Sequence, residues 1–307
     1  MHIRPQIHLV PEMHIAPQVV QVPIESKTAM IQYLYLGRVD YAEALRLQEQ
    51  LVEARRAGRI GNTLLLLEHP AVLTLGRNAN RSNILASDEL LASCGVTVHQ
   101  INRGGDVTYH GPGQLVGYPI FDLRSFRNPS GNRMGPVDFV RSMEEALIRL
   151  CISFGVPAGR IPKFTGVWCA PRLDSLDQSS GTSRKIAAIG IHVSRGITSH
   201  GFAFNVNPNL SDFTLINPCG ITDRPVTSLQ REVQALESLP SLEAIAHQAA
   251  RQFGLVFDQQ ILAVESLSDL LATTDSQPDS FPAQDTPLAI PAEVQRLKHT
   301  ADPLRHA

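Results

Sequence analysis

RKIAAIGIHVSRGITSHGFAFNV, residues 184–206, is the stretch from which the fold can be read. Two largely apolar runs flank a short polar turn, so KIAAIGIHV and HGFAFNVN read as antiparallel strands joined across SRGITS. Lys185 opens the apolar run IAAIGI, and thirty-four residues later DFTLINPCGI sets Cys219 in a Pro-Cys-Gly turn. A thiol on such a turn, with a lysine on an apolar strand, suits covalent acyl transfer in which the lysine shuttles the proton that the thiol must lose. The glycine-rich stretch RGGDVTYHGPGQ, residues 103–114, reads as the other half of the site.

Working outward, IQYLYLG alternates as a strand does, and the apolar spacing from Asp40 onward predicts an amphipathic helix over DYAEALRLQEQLVEARRAG. TLLLLEH reads as a buried strand, a short helix starts at Ser87, and VTVHQ is a strand leading into the glycine-rich loop. QLVGYPIFDL is strand-like, with Pro119 marking a local break or an edge. GPVDFVRSMEEALIRLCISFGV carries the strongest helical pattern, with Cys151 expected to pack as a small apolar group, and LEAIAHQAARQFG predicts a last helix. PRLDSLDQSSGTSR has no periodicity and reads as an exposed loop. Evenly spaced prolines at 5, 11, 17 and 23 make residues 1–30 a Pro-rich arm, and Ser, Asp, Pro and Thr make 261–307 a polar, flexible tail. One α/β domain at 31–260 is left to carry the chemistry.

The balance of 27 basic and 29 acidic residues provides no counterion-displacing surface, so nucleic acid is not expected as a partner. Cys94, Cys151, Cys169 and Cys219 are widely scattered, without metal-ligand or disulfide-framework spacing, and read as reduced thiols of a cytoplasmic protein. No metal site is expected. No apolar run approaches the roughly 20 residues that span a bilayer, so no membrane association is expected either. Gly111, Gly113 and Gly117 have one residue too many for a dinucleotide fingerprint, and a chain without a Gly-Lys dipeptide has no P-loop.

EHPAVLTLGR (68–77), RGGDVTYHGPGQLVGYPIFDL (103–123), GVW (166–168), KIAAIGIHVSRGITSHGFAFNV (185–206) and PCGI (218–221) resemble, in order and spacing, the lipoyl(octanoyl) transferase family. The resemblance implies an α/β fold of the α+β type: a single domain similar to the biotin/lipoate protein ligase catalytic fold, with a mixed sheet and helices packed on one side. It implies transfer of an octanoyl group from octanoyl-acyl carrier protein to a specific lysine of lipoyl domains, those of 2-oxoacid dehydrogenase complexes and the glycine cleavage H protein. Cys219 would be the nucleophile and Lys185 its proton acceptor. Substrate contacts would come from Arg103, Gly104, Gly105, Asp106, Val107, Thr108, Tyr109 and His110, from Ala188, Ile189 and Gly190, and from Gly201, Phe202 and Ala203. No cofactor is implied beyond the phosphopantetheine carried by the donor, and a monomer is expected.

The chemistry supports these roles on its own terms. A thioester donor is already activated, so transfer to an amine needs no ATP, and a cysteine thiolate both attacks a thioester and leaves again before an amine. Cysteine is mostly protonated at neutral pH and needs a nearby base, which a partly desolvated Lys185 would supply. Gly190 and Gly201 leave room for something to approach the backbone, and the loop glycines would offer N–H groups to an oxyanion. His110 and His200 read equally well as hydrogen-bonded structural histidines, and His69 before Pro70 reads as structural. Two features depart from the family pattern: the insertion at 171–184, and Cys169 directly after Trp168. Three alternatives stay open: an ATP-dependent lipoate or biotin ligase, an amidotransferase between protein lysines, and a non-catalytic carrier-binding module.

Overall fold

The computed structural model describes residues 29–171, 182–217, 224–233 and 239–272. The Pro-rich arm through residue 28, insertion residues 172–181, Cys219 with the rest of 218–223, and 273–307 lie outside the described residues.

The chain runs β1 (Met30–Arg38), α1 (Tyr41–Arg56), β2 (Asn62–Glu68), β3 (Val72–Leu75), α2 (Asp88–Ser93), β4 (Thr97–Gln100), β5 (Val107–His110) and β6 (Gln114–Ile120). It continues through α3 (Pro136–Ser153), β7 (Ala158–Ile161), β8 (Phe164–Cys169), β9 (Arg184–Ser194), β10 (Ile197–Asn205), α4 (Leu229–Glu232), α5 (Leu242–Phe257), β11 (Gln260–Ala263) and α6 (Leu267–Ala272). The helix starts follow from side chains that satisfy the first free backbone donors. Asp40 accepts from the N–H groups of Ala42 and Glu43, Ser87 from Leu90 and Ser241 from Ala244.

Eight strands form one mixed sheet in the order β11-β1-β2-β6-β10-β9-β8-β7, with β1 parallel to β11 and β2 and the remaining pairs antiparallel. Three short strands, β4-β3-β5, form a second sheet. β2 shows why the main sheet is two-sided: Leu64 and Leu66 join the core beneath α3 and α5, while Leu65 and Leu67 join the core beneath α1. Each leucine buried this way contributes roughly 1.5–3 kcal/mol.

That arrangement corrects one expectation. The sheet is mixed and the long helices α3 and α5 share one face, but α1 covers the other face, because alternating side chains make both faces of β2, β6 and β10 apolar. The chain beyond 260, read as tail, also extends the domain. β11 pairs with β1, and Leu270 of α6 is fully buried in the core under α1. Pro119 sits on an interior strand, paired to Leu64 of β2, but the ladder to β10 stops at Gly117. The missing proline N–H therefore falls where that ladder has ended. There the Thr198 hydroxyl donates to Pro119 O at 2.6 Å and accepts from the Phe121 N–H at 2.9 Å.

Candidate active site

Between β5 and its preceding loop on one side, and β6, β9 and β10 on the other, lies a cavity of about 50 Å³. A smaller one, about 10 Å³, adjoins it and shares Thr108, Ala188 and Ala203 as walls. Ala188 and Ala203 are partners across β9 and β10, so two methyl groups form the waist between the cavities. Arg103, Gly104, Gly105, Thr108, His110, Ala188, Ile189, Gly190, Gly201, Phe202 and Ala203 all line the larger cavity, and Lys185 lines the smaller.

Lys185 is only 8% exposed. Its backbone is clasped by the chain that returns from the Cys219 segment: its N–H donates to Pro225 O at 2.9 Å, and its carbonyl accepts from the Thr227 N–H at 2.9 Å. The Nζ lies 4.7 Å from the centre of the Trp168 ring, a geometry in which an aromatic face attracts an ammonium. Gly166, at φ +122°, lies against the same strand: a Cβ there would collide with Ala187 O at 2.5 Å, while Lys185 Cε would stand at an ordinary contact distance of 3.6 Å. On the near side of the 218–223 segment, the Asn217 N–H donates to Asn83 O at 2.7 Å.

The 103–106 loop is latched from below. Arg103 Nη2 donates to the carbonyl and hydroxyl oxygens of Thr74, at 2.8 and 2.9 Å, and the Gly104 N–H donates to Ile191 O at 2.9 Å. Space left by glycine at 190 and 201 is filled by the protein itself. A Cβ at Gly190 would stand 2.8 Å from Gly104 O, and one at Gly201 would stand 2.1 Å from Gly117 O. These glycines let loop and strands pack backbone to backbone, where the sequence suggested a ligand's approach. Nor are all the loop's N–H groups open to an oxyanion: Gly104 donates to Ile191 O and Gly113 donates to Glu68 Oε2.

Asp106, Val107 and Tyr109 do not line these cavities. Asp106 accepts from the Asn80 N–H and the Asn83 side chain, Tyr109 donates to Asp212 at 2.7 Å, and Val107 is buried in the small sheet's own core. Cys169 packs in the main core near Cys151, whose thiol pKa burial pushes well up, and does not line either cavity.

The histidines are fixed as neutral rings. Burial lowers the pKa of His69 to about 4, and of His110 and His200 to about 3. His69 donates from Nδ1 to Val39 O and accepts at Nε2 from the Tyr118 hydroxyl, both at 2.7 Å. His110 belongs to a directed line of hydrogen bonds. Arg103 donates to Thr74, Thr74 to His110 Nε2, His110 Nδ1 to Gln114 Oε1, Gln114 Nε2 to Asn205 Oδ1 and Asn205 Nδ2 to Thr227 O. The line connects the wall of the large cavity to the segment that clasps Lys185. With pKa values this low, none of the three rings offers a proton near neutrality.

Sequence reading missed Tyr41, Val116 and Tyr118 in the large cavity, and Gln114, Asn205, Phe213 and Val226 in the small one. Gln114 and Tyr118 stood inside the quoted motif, where the period-two pattern places residues on faces but does not say which face meets the second sheet.

Comparison with known proteins places residues 40–254 in the family described as the lipoyl protein ligase A/B catalytic domain. An octanoyltransferase of Acidobacterium capsulatum is 60% identical over 243 residues, which is 79% of this chain and 96% of that protein. One from Koribacter versatilis is 51% identical over 253 residues, 82% of this chain and 94% of its own length. Among solved structures, the bi-partite lipoate protein ligase of Thermoplasma acidophilum superposes with a TM-score of 0.59 at 15% identity, covering 80% of this chain and 90% of that one. At that identity the likeness shows a shared fold.

Proposed function

This chain belongs to the lipoyl protein ligase A/B catalytic-domain family, and from that membership we propose that it is an octanoyltransferase of protein lipoylation. It moves an octanoyl group from octanoyl-acyl carrier protein to a specific lysine of lipoyl domains, in the cytoplasm. The observation that carries this reading is the buried Lys185 at the end of a two-part cavity, on a strand clasped by the chain returning from Cys219.

In the proposed route the Lys185 amine takes the Cys219 thiol proton, and the thiolate attacks the donor carbonyl. The S–C bond to phosphopantetheine breaks as its thiolate takes the proton back from Lys185, leaving an S-octanoyl enzyme. The acceptor lysine then attacks that carbonyl. Its proton passes to Lys185 and on to the expelled Cys219 thiolate. The acyl chain lies past the Ala188–Ala203 waist, in the larger cavity. Acidic carrier domains would meet a basic surface, but Arg124 and Arg141 contribute less to it than their charge suggests. They pair with Asp122 and Glu144, at 2.7 Å each. Among the described residues no helix is long and apolar enough to cross a membrane.

Intact-mass analysis after brief incubation with octanoyl-acyl carrier protein, without acceptor, tests the route. An octanoyl adduct labile to hydroxylamine is expected on the wild type, absent in Cys219→Ala and slow to form in Lys185→Ala. A wild type that forms no adduct, yet acylates a lipoyl domain when given ATP and free octanoate, would make the protein a ligase.

A further inference from the structure

His200 is out of step with its strand. Along β10 the even positions Phe202 and Phe204 enter the core beneath α5, and Ile197 and Ala203 face the opposite side. His200, at φ +56°, adopts the left-handed conformation that non-glycine residues rarely take. The turn aims its ring away from the α5 core toward Asn102, with Nε2–H donating to Asn102 Oδ1 at 2.6 Å. Its backbone N–H donates to Gln48 Oε1 of α1 at 2.8 Å. Strain of this kind persists only where surrounding contacts hold it, and it concentrates at working sites. Here the contacts come from α1 and from the loop that carries Arg103.

Position along the sheet gives the strain a use. Ala203 pairs with Ala188 at the waist, and His200 pairs with Ile191, three residues farther from Lys185. At ~3.3 Å per residue the backbone of His200 lies about 10 Å along the strand from the waist, the scale of a medium-length acyl chain, and the ring itself lines the larger cavity. Moving the ring aside would part it from the exposed Asn102 and leave the buried His200 Nε2–H without its acceptor.

Resting on the octanoyltransferase reading, we propose that the His200 imidazole is the stop that limits the length of acyl chain this cavity accepts. His200→Gly is the suitable test, because glycine takes the left-handed conformation without strain and removes only the ring. Asparagine also tolerates that conformation and is shorter than histidine, so His200→Asn serves as a second variant.

The experiment measures rates of S-acyl adduct formation on the full chain, by intact mass, with octanoyl-, decanoyl- and dodecanoyl-acyl carrier protein. The dodecanoyl-to-octanoyl ratio is expected to rise about tenfold or more in His200→Gly, as pocket changes on the scale of a few methylenes do, and by less in His200→Asn. Being a ratio within one sample, it is unaffected by partial loss of folded protein. An unchanged ratio, or equal losses with every donor, overturns the inference while leaving acyl transfer standing. A wild type that forms an adduct with none of the three overturns both.

Discussion

Glu144 is completely buried on α3, with one oxygen accepting the Gly166 N–H at 3.0 Å and the other accepting from Arg141 and Arg160 at 2.7 and 3.0 Å. Gly166 packs its backbone against Ala187 O and lies beside the Lys185 side chain, so this carboxylate fixes backbone that adjoins the site. Replacing Glu144 by alanine strands a buried N–H, unpairs the half-exposed Arg141 and leaves Arg160 only its second carboxylate, Glu145, at 2.9 Å. A loss of about 3 kcal/mol is expected, toward the low end for breaking a buried pair, and urea denaturation of the purified variant measures it. Gln, which keeps the acceptor for Gly166, should recover part of the loss. Lys185 was legible in the sequence because a lone lysine at the head of an apolar strand is unusual. Trp168 stood in a quoted motif without a role, since its place beside Lys185 depends on a register shift between Val167 and Trp168 that no local pattern encodes.

Among the elements, β6 shows how a strand can be interior on one side and interrupted on the other. Thr198 supplies what Pro119 cannot: its hydroxyl satisfies both Pro119 O and the Phe121 N–H in a fully buried position. Thr198→Val keeps the shape and removes both bonds, so stability should fall by about 1–3 kcal/mol, the cost of leaving buried backbone groups unpaired. Thermal unfolding checks the magnitude, and unchanged octanoyl transfer at low temperature would separate this seam from the chemistry. The proline signal, the helix starts at Asp40 and Ser87 and the β9–β10 hairpin were all readable, because each is set by a few neighbouring residues. The placement of α1 on the second face was not. It follows from apolar residues on both faces of β2, and a run of four leucines looks the same whether one face or both are covered.

For the molecule as a whole, the neutral histidines make acid the weak direction. His69, His110 and His200 take up protons more readily when unfolded, near the ordinary pKa of 6.5, than in the fold at about 4, 3 and 3. The unfolded chain therefore binds more protons across that window, and stability present above pH 6.5 is lost as pH falls through it. By pH 5 each ring costs up to roughly 2 kcal/mol. Melting temperatures recorded from pH 7.5 to 5 should decline from about 6.5 downward, and a flat profile would mean that the rings are not buried neutral. Much of the cavity wall was legible because the motifs that form it are continuous in the chain. The waist, the hydrogen-bonded line through His110 and the closing strand were not, since each joins segments far apart. That closing strand has a consequence for biosynthesis. Met30 pairs with Gln260, so the first described strand finds its outer neighbour only after some 230 further residues are made. At typical translation speeds this takes roughly 10–50 s. Throughout that time β1 presents a free edge to every other nascent chain nearby, and the ribosome's pace sets how long the protein is open to mispairing.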